Sequence, residues 1–116
     1  MNGSDLPYVQ TATGVERANP VVSIEMVEFT DHSGDSGPVD TPKVLFPEAD
    51  NTVHKRYLWN VGLSGSLWIK LTAGDPAANA PGSIEVPPVG FCEIPVRAEV
   101  KVIGTEANIP YTALEA

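Results

Sequence analysis

Proline and glycine punctuate this chain so densely that no long helix fits in it: 11 Pro and 10 Gly fall within 116 residues. Proline removes a backbone donor and clashes inside helices and central strands. Glycine gives up the most conformational freedom when it is fixed in either. The spacing therefore predicts many short elements separated by turns. Hydrophobic residues still make up 42% of the chain, enough for a core, and the length suits one domain.

Where the short elements lie follows from period-two alternation, which turns alternate side chains to opposite faces of a strand. Residues 1–19 are polar, with weak alternation at Tyr8-Val9-Gln10-Thr11, and read as an extended arm able to lend a strand to a neighbour. Val22, Ile24 and Met26 then share one face, with Ser23 and Glu25 between them. Asn19-Pro20 could equally start a helix, but the β-branched content favours a strand. Thr30 to Pro42 reads as a flexible loop, because 31–38 holds no apolar residue except proline. Beyond it come Val44–Phe46, Arg56–Val61, Leu67–Thr72, Ser83–Val86, Phe91–Val96, Glu99–Ile103 and Ile109–Leu114. In the clearest of these, Leu67, Ile69 and Leu71 face one way and Trp68, Lys70 and Thr72 the other. Pro95 and Pro110 place their strands at a sheet edge or mark where they begin. The expected fold is all-β, a β-sandwich or jelly-roll-like arrangement of about seven or eight short strands. The expected organisation is an arm over 1–19 and a single domain over 20–116.

Charge narrows the function. Seven basic residues stand against 15 acidic ones, for a net charge of -8. The basic residues are scattered, with one adjacent pair, Lys55-Arg56. Nucleic-acid binding needs clustered cations to displace counterions from phosphates, so no nucleic-acid partner is expected. Cys92 is the single cysteine, which excludes an intrachain disulfide; its apolar neighbours Val89, Phe91 and Ile94 suggest a buried, inert thiol. The first residues carry no secretory pattern, and no apolar run approaches the roughly 20 residues of a membrane span. A soluble protein made in the cytoplasm is expected, one stabilised by forming a homo-oligomer.

Motifs for chemistry are weak. Gly34-Asp35-Ser36-Gly37-Pro38 is similar to the segment around a protease nucleophile, but only His32, in the same loop, precedes the serine. Asp31, Asp35 and Asp40 lack the alternating oxygen ligands of a calcium loop. His32 and His54 stand at no metal-ligand spacing, and Gly62-Leu63-Ser64-Gly65 is not a nucleophile elbow. Asn2-Gly3-Ser4 is a glycosylation sequon only in form. Glu85 and Glu93 read as polar faces of exposed strands, not as an acid–base pair. No catalytic residue, metal or cofactor is expected. Trp59 and Trp68 read as core, as interface or as a sugar-stacking platform.

From Asn51 to Leu114 the chain resembles a module of small virion proteins in tailed bacteriophages. Arg56-Tyr57-Leu58-Trp59-Asn60 leads into the turn and strand Leu63-Ser64-Gly65-Ser66-Leu67-Trp68-Ile69-Lys70-Leu71. The small-residue loop Ala77-Ala78-Asn79-Ala80-Pro81-Gly82-Ser83-Ile84, the turn Pro88-Val89-Gly90-Phe91 and Ile109-Pro110-Tyr111-Thr112 complete the pattern. The resemblance covers a little over half the chain and rests on strands and turns. It implies a structural protein of the virion, best read as a head-decoration (capsid-cement) protein on the outer capsid surface. Such a protein binds the major capsid protein, commonly as a homotrimer. The alternative it implies is a tail, fibre or receptor-binding component. Aromatic residues are enriched in interface cores, so Tyr8, Val9, Trp59, Trp68 and Tyr111 are the interface candidates.

Overall fold

The alternation read from the sequence becomes two antiparallel sheets in the computed structural model, which describes residues 28–116. The expected arm over 1–19, with Tyr8 and Val9, and the expected strand around Val22–Met26 lie outside the described residues. In chain order the strands are β1 (Thr30–Asp31), β2 (Gly34–Asp35), β3 (Lys43–Phe46), β4 (Arg56–Asn60) and β5 (Leu67–Lys70), followed by β6 (Ser83–Val86), β7 (Phe91–Glu93), β8 (Val100–Gly104) and β9 (Pro110–Glu115). No helix occurs among the described residues.

The first sheet runs β1-β9-β4-β7, with β2 also on β9, and the second runs β3-β8-β5-β6. Thr30 pairs with Glu115, Asp31 with Leu114, Gly34 with Tyr111 and Asp35 with Pro110. These pairs keep one register, so β1 and β2 act as a single edge strand interrupted at His32-Ser33. Counted that way, the chain crosses from one sheet to the other after every strand except at the β5–β6 hairpin. Two four-stranded antiparallel sheets joined in this order form a jelly-roll sandwich.

Thr30 to Pro42, expected as a loop throughout, is therefore corrected over its first part. Polar residues suit an edge strand that faces water, and β9 supplies the hydrogen-bonding template that composition cannot reveal. The His32 N–H donates to the Ala113 carbonyl at 2.8 Å, and Ser33 Oγ accepts the Ala113 N–H at 3.0 Å, carrying the pairing across the interruption. Ser36 is fully buried and exchanges two bonds with Ile109: N–H to carbonyl at 3.0 Å, and Oγ accepting the Ile109 N–H at 2.9 Å. The serine that looked like a nucleophile is thus a structural bridge between chain segments.

Core residues come from both sheets: Leu58, Tyr111 and Ala113 from the first, and Phe46, Leu67, Ile69, Val86, Val100 and Val102 from the second. Burying each large apolar side chain contributes about 1.5–3 kcal/mol. β7 stops at Glu93, before Pro95. Pro110 opens β9, where its missing N–H costs least, and its carbonyl accepts from Val61 at 3.1 Å. β9 is nevertheless an interior strand, between β1/β2 and β4.

Candidate interaction surface

β4 sets up the surface because its two faces carry different chemistry. Arg56, Leu58 and Asn60 point inward and are all buried, which turns Tyr57 and Trp59 to the outer face of the first sheet. The ladder places Phe91 opposite Trp59 and Glu93 opposite Tyr57 on one side, and Thr112 and Leu114 on the other. Phe29, just ahead of β1, joins the same face with its ring 6.0 Å from that of Tyr57. Tyr57 lies 5.9 Å from Trp59 and 5.7 Å from Phe91, and Trp59 lies 4.6 Å from Phe91. The result is a continuous aromatic row with Phe91 51% and Phe29 44% exposed.

Beyond Trp59 the apolar surface extends to Val61, Leu63 and Val89, all exposed. Val89 sits at φ 56° in the turn closed by the Gly90 N–H donating to the Pro87 carbonyl at 2.8 Å. A β-branched residue at positive φ is strained by about 1–3 kcal/mol, and at 74% exposure its side chain gains little from packing. The rim is acidic: Glu93 stands beside Tyr57, and Asp31 pairs with Leu114. Hydrogen bonds from Ser33, first its hydroxyl and then its N–H, hold the Asp31 carboxyl below the ordinary range, so it is charged at neutral pH.

The expected interface residues separate. Trp59 belongs to the exposed row. Tyr111 is 3% exposed and part of the core, with Lys43 Nζ 5.7 Å from its ring centre. Trp68 is 8% exposed on the outer side of the second sheet, paired with Ile103 and Glu85. Phe29, Tyr57 and Phe91 were not among the residues singled out by sequence. The signal for Tyr57 was present in its i+2 spacing to Trp59, and the signal for Phe91 was its position after a glycine turn.

The chemistry-bearing residues are also spread apart. Asp31 accepts the Ser33 N–H and Asp35 the Gly37 N–H, each closing its own turn. His32 Nε2 lies 3.1 Å from Glu115 Oε1. Glu85 and Glu93 sit in different sheets, and Glu85 accepts the Ser66 hydroxyl at 2.6 Å. Cys92 is half-buried, and burial, followed by the nearby Glu93 charge, raises its thiol pKa. Among the described residues no three His, Cys, Asp or Glu side chains gather as a metal site.

A second feature fixes the opposite end of β4. Arg56 is 1% exposed and donates from Nε to Glu115 at 2.8 Å, from Nη1 to the Val96 and Ala98 carbonyls at 2.8 and 2.6 Å, and from Nη2 to the Pro47 carbonyl at 2.6 Å. Its guanidinium also stacks 5.0 Å from the Phe46 ring centre. One side chain thereby ties β4, β9, the end of β3 and the crossover after β7 together. Comparison with protein-family models, with curated proteins and with solved structures found no match.

Proposed function

We propose that this chain is a structural protein of a bacteriophage virion, a capsid decoration protein that acts by docking and not by catalysis. In this reading the aromatic face of the first sheet seats against the major capsid protein, and the docked unit is a homotrimer or another homo-oligomer on the outer capsid surface. The observation that carries the proposal is the row Phe29, Tyr57, Trp59 and Phe91 on the outer sheet face, with Phe29 and Phe91 exposed and Tyr57 and Trp59 half-buried between them. Large exposed aromatics have the composition of an interface core. The strained, exposed Val89 at its end supports the same reading, since the strain is unrewarded within the chain itself.

Ring geometry favours a protein partner over a glycan. Phe29–Tyr57, Tyr57–Trp59 and Trp59–Phe91 are tilted by 45°, 45° and 44°, and only Tyr57–Phe91, at 28°, approaches a coplanar pair. Tilted rings make knobs that fit a side-chain groove, whereas a sugar stacks on a flat, free ring. The decisive experiment measures copy number in purified particles by quantitative mass spectrometry against the major capsid protein. Near-stoichiometric amounts support a head-decoration protein. A handful of copies moves it to the tail or fibre, and absence from particles overturns the virion reading.

A further inference from the structure

We propose that the cleft beside the Arg56 end of β4 is a carboxylate-binding site that takes the side chain of a glutamate from a partner polypeptide. The cleft, about 440 Å³, has His54, Lys55 and Arg97 at its polar wall and Ile94, Pro95 and Val96 along its apolar one. A space of that size holds a small organic group. On a chain with net charge -8, this single cleft is lined by Lys55, Arg56 and Arg97, three of the seven Lys and Arg residues, and by one of the two histidines.

The wall is built before any ligand arrives. The Ile94 N–H donates to the Arg56 carbonyl at 2.8 Å, and Arg56 Nη1 pins the carbonyls of Val96 and Ala98. Arg97, between those two pinned residues, is exposed and anchors its Nε to the Val53 carbonyl at 2.6 Å. Its Nη2 lies 3.5 Å from His54 Nδ1. Lys55 Nζ and Arg97 Nη1 have no hydrogen-bond partner among the described residues.

The Asp50 and Glu115 carboxylates near the cleft already have partners within the chain. The Asp50 carboxylate, close enough to Arg97 to feel its charge, accepts both the N–H and the hydroxyl of Thr52. Glu115 is bound to Arg56 and His32, and the Ala116 carbonyl accepts the backbone N–H groups of His54 and Lys55. Two cationic residues lining the same cleft as Ile94, Pro95 and Val96 match a carboxylate on a short aliphatic stem, since charge-assisted bonds to carboxylates are among the stronger hydrogen bonds. The lining residues Arg56 and Ile94 are chain neighbours of the paired Tyr57 and Glu93, so a polypeptide seated on the aromatic face reaches the cleft. The binding chemistry itself is independent of which partner that is.

The test titrates N-acetyl-glutamate amide into the full chain and follows backbone amide shifts by NMR, with N-acetyl-glutamine amide as the uncharged isostere. The expected result is saturable shifts confined to 53–55 and 94–98 with the glutamate probe alone, at a dissociation constant on the order of millimolar. Lys55→Gln should weaken binding by about fivefold or more, while Lys55→Arg retains it. Arg97→Gln should also weaken it, and Lys55→Gln guards against a merely structural effect of losing the Arg97–Val53 bond. Equal shifts with both probes, scattered shifts, or unchanged binding in Lys55→Gln would overturn the proposal. Copy number in particles bears on the virion reading alone, so the two can fail separately.

Discussion

The inner and outer rows of β4 are built from neighbouring residues yet obey opposite rules. Inward, Arg56, Leu58 and Asn60 leave nothing exposed, and their polar atoms are matched one by one. Asn60 Nδ2 donates to the Val86 and Gly65 carbonyls at 3.0 and 3.1 Å, while its Oδ1 accepts the Gly62 N–H at 2.9 Å. Outward, Tyr57 and Trp59 keep ring surface in water. The difference teaches that one strand can specify the fold on one side while its other side stays free for the contact proposed above. It follows that substitutions on the two sides should act on different observables.

The largest effect is expected at Arg56. Arg56→Ala leaves Glu115 and three carbonyls without their donor, costing about 3–5 kcal/mol in urea unfolding. A loss below about 1 kcal/mol would mean that the inner row does not hold the sheets together. Asn60→Ala should cost about 1–3 kcal/mol by the same measurement, because two carbonyls and one N–H lose their partner. On the outer side the sign reverses at one position: Val89→Gly relieves the positive φ and should raise stability by about 1 kcal/mol while weakening docking. Phe91→Ser should change stability by less than about 1 kcal/mol yet, on the proposed reading, abolish binding to particles in a pull-down. A variant that unfolds, or one that binds normally, removes the division between the rows.

The smallest effect is chemical. With its pKa raised above 9.0 by burial, the Cys92 thiol keeps its proton longer in the folded chain than in the unfolded one. Its contribution to stability is whole at neutral pH and is lost as pH climbs through the folded value. Alkylation by iodoacetamide at mildly alkaline pH should therefore be slower than in urea-unfolded protein. Equal rates would show that the cysteine, placed between Phe91 and Glu93, is not shielded by the core.

Strand positions from Val44 onward were legible because alternation and turn residues agree locally. Leu67–Leu71 alternates cleanly, and Pro87-Pro88 with Gly90 marks the turn before Phe91. The edge strand at Thr30–Asp35 was not legible, because its pairing depends on β9, about eighty residues away. The candidate surface was only partly visible. Trp59 and Trp68 look equivalent in sequence, and what separates them is the tertiary setting of each strand's outer side. Arg56 read as half of the one adjacent basic pair and as the residue opening a strand, with nothing to mark it as buried. Its burial follows from sharing a face with Leu58, but its four acceptors come from three separate places in the chain, the end of β3, the crossover after β7 and β9.

β9 has a consequence for how the molecule is made. It is the last of the described strands in sequence, yet it lies between β1/β2 and β4, so the first sheet gains its interior only through pairing with an edge strand about eighty residues earlier. Until β9 docks, β4 and the edge strand each offer an open hydrogen-bonding rim to other unfolded copies. Such non-local pairing closes slowly, in about milliseconds to seconds for sandwiches of this kind. Crowded synthesis should consequently trade folded product for aggregate, and a lower expression temperature should recover it.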